Sequence, residues 1–256
     1  MRNNRKYYRL LSILALLFLL SPVVAYAQPD SFGIPRIGIE VGEAQTPRDI
    51  VSTFEILFLF TILTLAPSIL IMMTSFTRII IVLSFMRNAL GTQQTPPNQV
   101  LIGLAIFLTL FVMAPIGDDI NANAVQPYLE GTIDQDQALE NAMKPLRSFM
   151  FKQTRNKDLS LFLNLADMDS PEDLDEIPNR VLIPSFMISE LKTAFQIGFL
   201  LFIPFIIIDM VVASTLMSMG MMMLPPVIIS LPFKILLFIM VDGWNLIVKT
   251  LITGFK

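Results

Sequence analysis

A chain with no cysteine and no histidine has no thiolate nucleophile, imidazole base or disulfide, and it loses nearly every zinc site. Carboxylates, lysines, hydroxyls and 16 methionines remain. Carboxylate-based hydrolysis stays open to such a set, but most other enzyme sites do not, and neither a metal nor a cofactor is expected. Five of the methionines, Met217, Met219, Met221, Met222 and Met223, fall within seven residues beside Gly220 and the pair Pro225-Pro226. Unbranched, polarizable thioethers deform around varied shapes without leaving voids. Three uses are open to the cluster: plain burial in a membrane, a Cu(I) site made of thioethers, or a compliant apolar constriction that closes a pore by expelling water. No Cys or His is present to complete a copper site.

The other chemistry-bearing groups are two charges inside apolar sequence, Asp209 and Lys234. Charges in such segments are costly and face a partner or a watery cavity. Counted from Met223, Asp209 lies 14 residues back and Lys234 lies 11 forward. On two antiparallel helices their depths differ by about 5 Å, within reach of a lysine. They form a candidate intramembrane ion pair, within one chain or between copies. The alternative makes Asp209 the coupling site of an ion-coupled small-solute transporter.

These residues need helices to hold them. With 54% hydrophobic and 15% charged residues and a mean hydropathy of +0.66, the chain reads as membrane-associated rather than as one soluble core. Its start has the layout of a signal peptide (1–27). Arg2, Arg5, Lys6 and Arg9 precede the uncharged Leu10–Leu20, and Ala25 and Ala27 stand at the two positions read for cleavage. Eleven apolar residues are short for a spanning helix, which needs about 20; the alternative is an uncleaved first span. After an N-terminal segment, 28–49, four apolar segments follow: Ile56–Thr77, Asn88–Gly117, Thr193–Phe233 and Ile235–Val248. Each contains a proline or adjoins one: Pro67, Pro115, Pro204 and Pro232 predict kinks. Ser75–Arg87 continues the helical periodicity and predicts that the first helix runs on past the membrane. Arg78 and Arg87, with no acid before Asp118, predict a cytoplasmic connection; the alternatives for Arg78, near a span end, are to snorkel or to sit against a partner. In Asp118–Glu190 acids outnumber bases by more than two to one, which predicts an outside domain with one helix over Asp136–Asp158 and a second over Asp158–Ala166. Ser170-Pro171 reads as a further helix start. Lys249 and Lys256 pull mildly against a C-terminus on that same outside face.

The two connections share a pattern: Gly91 precedes Pro96-Pro97, and Gly220 precedes Pro225-Pro226, by the same spacing. Either an internal repeat or two independent turns with the same punctuation would produce it. The predicted architecture is all-α: a first helical hairpin (50–117), a small helical, acidic periplasmic domain (118–183) and a second hairpin with the methionine-rich loop (184–256).

Met73–Leu101 and Pro184–Asn245 closely resemble the two signature stretches of the FliP/MopC/SpaP family of type III secretion export gates. The signal peptide fits the flagellar branch better than the injectisome branch. The resemblance implies an oligomeric pore in the bacterial inner membrane, at the flagellar basal body, built from several copies together with FliQ and FliR. Unfolded flagellar subunits would pass through it, and Met221, Met222 and Met223 would seal it when closed. It implies no catalytic residue, with export energy supplied elsewhere, and kinked helical hairpins that pack around a pore.

Overall fold

A computed structural model describes residues 47–92, 94–168, 173–221 and 223–255. The signal peptide with Ala25 and Ala27, the segment before Pro47 and the Ser170-Pro171 start lie outside the described residues. The chain divides into Met1–Thr53, of which only the helical start at Pro47 is described, and Phe54–Lys256, which holds everything else. Every regular element among the described residues is helical.

Helix α1, Pro47–Met72, does not run on through Ser75–Arg87 as periodicity predicts. It stops at Met72, where the Thr74 hydroxyl donates to the Ile71 carbonyl (2.7 Å) and accepts from the Phe76 amide (3.3 Å). A threonine that bonds the local backbone competes with the helix ladder. The restart, α2 (Phe76–Ala89), buries Ile79, Val82, Leu83 and Met86 on one stripe, with the i, i+3, i+4, i+7 spacing of a core-facing helix. The first hairpin is therefore α2 against α3 (Asn98–Ile120), and α1 is not one of its arms.

From α3 the chain continues through a π-helical turn, Asn121–Val125, into the short α4, Gln126–Leu129, making one rod from Asn98 to Leu129. Pro127 explains the widened turn. It has no N–H for the Asn123 carbonyl, and its ring crowds that oxygen. The Asn141 side-chain amide supplies the missing donor to the Asn123 oxygen at 3.2 Å. Asn141 belongs to α5 (Gln135–Gln153), which opens on a capping box between Asp134 and Gln137. The single helix expected over Asp136–Asp158 divides at Thr154-Arg155 into α5 and α6 (Asn156–Leu165). There the Arg155 amide leaves the ladder to donate to Ser189 Oγ at 3.1 Å. Arg147 ties the return strand of chain to α5 by donating to the carbonyls of Leu174 and Ile177 and to Asn179.

Helix α7, Asn179–Ser218, has 40 residues and is about 60 Å long, twice a hydrocarbon core of about 30 Å. It begins well before the predicted span at Thr193, and the expected boundary at 183/184 falls inside it. Its first turns bury Val181, Leu182 and Phe186 against α5 and α6, with Phe149, Met150 and Leu163. Further along, Ala194 and Phe205 join α2 and α3 in a second core. There α7 and α2 meet so closely that a Cβ on Gly198 would lie 2.6 Å from Phe85 Cγ.

Helices α8 (Pro226–Met240) and α9 (Gly243–Thr253) complete the chain. Pro67, Pro115, Pro204 and Pro232 all lie inside continuous helices, so none of them ends a helix. Among the described residues one sharp bend between apolar helices, 62°, separates α8 from α9 at Asp242, a left-handed residue with φ 50°. Among the described residues the count of candidate spans is two or three rather than four. By length and composition two helices can cross a membrane, Asn98–Leu129 and Asn179–Ser218, and the bent pair α8–α9 makes a third if it is one span; α1 adds a shorter apolar stretch, Ile56–Ile69.

A Gly198→Ala substitution is expected to cost about 1–3 kcal/mol by overpacking the α2–α7 crossing. Adding Phe85→Leu should restore part of the loss, read as the melting temperature of the detergent-purified protein. Equal melting temperatures for Gly198→Ala and wild type would remove the close crossing.

Candidate functional site: the methionine hairpin and the two charged pairs

The α7–α8 hairpin presents the methionine cluster at its tip. Helix α7 ends in a Schellman arrangement: the Met221 amide donates to the Leu216 carbonyl at 3.0 Å and the Gly220 amide to Met217 at 3.1 Å, with Gly220 at φ 75°. A left-handed residue at this place is most cheaply a glycine. Pro225 then caps α8 and Pro226 opens it. The α2–α3 turn uses the same devices, with Gly91 at φ 77° and Pro97 capping α3. The two glycine-to-proline patterns thus do the same local work.

Around the tip Met217, Met219 and Met223 are exposed and Met221 marginally so, with Met223 at 97%. Met222 lies outside the described residues. Nothing else described in the chain covers Met223, so any seal made by this tip is made against other molecules or other copies.

Below the tip, Asp209 and Lys234 meet. Lys234 Nζ lies 2.6 Å from Asp209 Oδ2, and Ser230 donates its hydroxyl to the other carboxylate oxygen. Lys234 and Ser230 are buried, while the Asp209 side chain keeps 32% of its exposure. Both carboxylate oxygens are occupied. Ser230 had gone unnoticed in the sequence. Its signal was there: a hydroxyl four residues before Lys234 on an apolar helix shares the lysine's face.

The strongest polar constellation lies elsewhere and is a second omission. Arg78 and Glu190 form a buried two-point ion pair, 112 residues apart in sequence, with Arg78 Nε 2.9 Å from Glu190 Oε2 and Nη2 on Oε1. Arg78 also donates to Gln153 Oε1 (2.9 Å) and to the Gly254 carbonyl (3.0 Å). Its guanidinium stands 4.0 Å from the centre of the Phe255 ring. Beside it, Asp158 accepts from Ser189 at 2.7 Å. This corrects the orientation. Arg78 was assigned to a cytoplasmic connection and Glu190 to the outside segment, yet the two are in contact. The Gly254-Phe255 segment also packs beside α5, against the mild pull of Lys249 and Lys256.

With this geometry in hand, the comparisons with known proteins are specific. The sequence model of the FliP family matches residues 59–251, a stretch that takes in both turns and both charged pairs. The chain is 60% identical over 217 residues to the flagellar biosynthetic protein FliP of Bacillus subtilis, covering 85% of this chain and 98% of that one. It is 50% identical over 225 residues to the protein of the same name from Aquifex aeolicus, covering 87% and 92%. To the flagellar biosynthetic protein FliP of Buchnera aphidicola subsp. Baizongia pistaciae it is 48% identical over 255 residues, covering 100% of this chain and 69% of that one.

Two measurements test the pairs. Arg78→Ala leaves Glu190 buried without a counter-charge and should cost about 3–5 kcal/mol. Replacing both by methionine should recover much of that loss in thermal unfolding. At the hairpin, exchanging the charges (Asp209→Lys with Lys234→Asp) should assemble better than either single reversal. A swap no better than the worse single would dissolve the pair.

Proposed function

The chain belongs to the FliP family, and on that premise we propose that it is a core, pore-forming subunit of the flagellar type III protein export gate. In this reading several copies, with FliQ and FliR, surround a channel in the bacterial inner membrane at the flagellar basal body. Unfolded flagellar subunits pass through it, and the methionine hairpin tips close it between passages. No catalytic step falls to this chain.

The observation that carries the reading is the tip itself: a methionine-rich turn, Met223 fully outward, on a stem held by the pair of the buried Lys234 with the partly exposed Asp209. A ring of such tips makes a deformable apolar constriction, which excludes water and ions when narrow and yields to chains of varied shape when pushed. The apolar helices support an assembly too, since only 17% and 11% of their most apolar windows are buried within the chain. The contact of Arg78 with Glu190 and Gln153 supports placing α2 beside the acidic segment, which this reading puts on the periplasmic side. The ion-coupled transporter gains no support, because Lys234 and Ser230 already occupy both oxygens of Asp209.

Truncating Met221 and Met223 to alanine removes about 1.5–3 kcal/mol of apolar contact per side chain from a closed tip. Cells carrying the resting complex with this variant should leak ions and small solutes while still assembling it. A tight membrane with the complex assembled would end the sealing role.

A further inference from the structure

The α2–α3 turn touches the methionine hairpin at one place, and its geometry assigns that turn a task. A Cβ on Gly91 would lie 3.4 Å from Leu231 Cδ1 and 3.9 Å from both Val227 Cγ1 and Lys234 Nζ. Val227, Leu231 and Lys234 are spaced by four and three residues, so they form one face of α8. That face runs from the first turn after the methionine tip down to the ion pair with Asp209. Lys234 is almost fully buried although Asp209 remains partly exposed, so the ammonium is shielded from a direction other than its partner's. The Gly91 turn lies on that side.

The turn is built to hold its shape. Ala89 and Leu90 are buried in the core. Arg87 donates to Asn98 Oδ1 at 2.6 Å and to the Pro96 carbonyl at 3.2 Å, and Thr92 bonds back to the Arg87 carbonyl. The two other left-handed glycines, Gly131 and Gly220, have open space where a Cβ would stand. Gly91 alone among these three combines a left-handed backbone with a contact.

We infer that the α2–α3 turn is the seat of the methionine hairpin, and that Gly91 is a positioning residue for the tip, acting through Val227, Leu231 and Lys234. The left-handed backbone at residue 91 already favours glycine. A Cβ there would just reach van der Waals contact with α8, and any group longer than a methyl would push α8 off its seat and tilt the tip. The two glycine-to-proline turns are then unequal partners: one forms the closing tip, and the other fixes where it stands. The inference rests on the sealing role proposed above, and its test separates the two.

Asparagine tolerates the left-handed region better than other side-chain-bearing residues, so Gly91→Asn adds bulk with little added backbone strain, and Gly131→Asn is its control. In cells making the full chain with its gate partners, Gly91→Asn should raise resting ion flux about tenfold, the factor corresponding to 1.4 kcal/mol. Gly131→Asn should leave the flux unchanged. Leu231→Ala, which opens space beside residue 91, should bring the Gly91→Asn flux back towards wild type. Equal fluxes for the two asparagine variants, or no rescue by Leu231→Ala, would overturn the inference. If Gly91→Asn prevents assembly, Gly91→Ser, which reaches one atom beyond the Cβ, takes its place with the same rescue and the same overturning results. A Met221→Ala/Met223→Ala complex run beside them reports on the seal. Should that complex stay tight, the sealing role fails, and the seat is decided by melting temperature instead: lowered by the residue-91 variant and restored by Leu231→Ala, or overturned by additive effects.

Discussion

The buried guanidinium of Arg78 constrains the rest of this fold. An isolated charge taken out of water is intolerable unless it is paired and hydrogen-bonded, and here its partners come from three other parts of the chain. Glu190 of α7 takes two of its donors, Gln153 of α5 a third contact, and the Gly254 carbonyl another, with the Phe255 ring over its face. The planar fork of arginine suits such a cluster, since each donor has a fixed direction. The start of α2, the end of α5, the middle of α7 and the segment after α9 must therefore arrive together. Phe255 extends the junction by stacking on Phe149, so one aromatic residue closes the charged cluster and also joins the apolar core of α5, α6 and α7.

Two helices carry the consequences of that junction towards the tip. Helix α2 has Arg78 near one end and leads into the Gly91 turn at the other, about 20 Å away along its axis. Helix α7 carries both acids, Glu190 for the junction and Asp209 for the hairpin stem, about 28 Å apart. The two helices cross tightly between these points, at Gly198 and Phe85. The hairpin stem is thus held at both charged levels, through α7 directly and through α2 and its turn. A firm base under a soft tip fits the closure proposed above, with compliance in the thioethers and register in the salt bridges.

Much of the stem and tip was legible in the sequence because the relevant signals are local. Gly220 and Gly91, each followed at the same distance by a proline pair, mark helix ends by backbone chemistry alone. Once the turn is placed, helix rise puts Asp209 and Lys234 within about 5 Å of the same depth, a gap a lysine spans. The junction was not legible, because Arg78 and Glu190 are 112 positions apart and periodicity says nothing about which distant helix supplies a partner. Charge counting misplaced Arg78 for the same reason: it treats every arginine as solvated, and this one is not. The misjudged helix ends at Met72 and Thr154 have another cause, since a single hydroxyl or amide that leaves the ladder for a nearby acceptor ends a helix without disturbing the apolar pattern. The widened turn at Asn121–Val125 was not legible either: it answers Pro127, whose missing N–H is replaced by the side-chain amide of the distant Asn141.

Burial in this chain runs opposite to hydropathy. Helix α2, with Arg78 and Arg87, supplies the fully buried Ile79, Val82, Leu83 and Met86. The far more apolar α3 and α7 leave Phe107, Phe111, Phe199 and Leu200 largely uncovered. The inversion is physical. A buried charge must lie where it finds a partner, and here that place is the interior of the chain, on α2 and on the inward face of α7. An uncharged helix face has no such requirement, and it needs only another apolar surface, whether lipid or a neighbouring subunit. Extreme apolarity therefore marks what this chain turns outward, and its few buried charges mark what it folds around. Counting apolar stretches as spans takes the outer surface for the organising one. The two charged pairs, one beneath the tip and one between the acidic segment and α2, locate the axis on which the outer helices are hung.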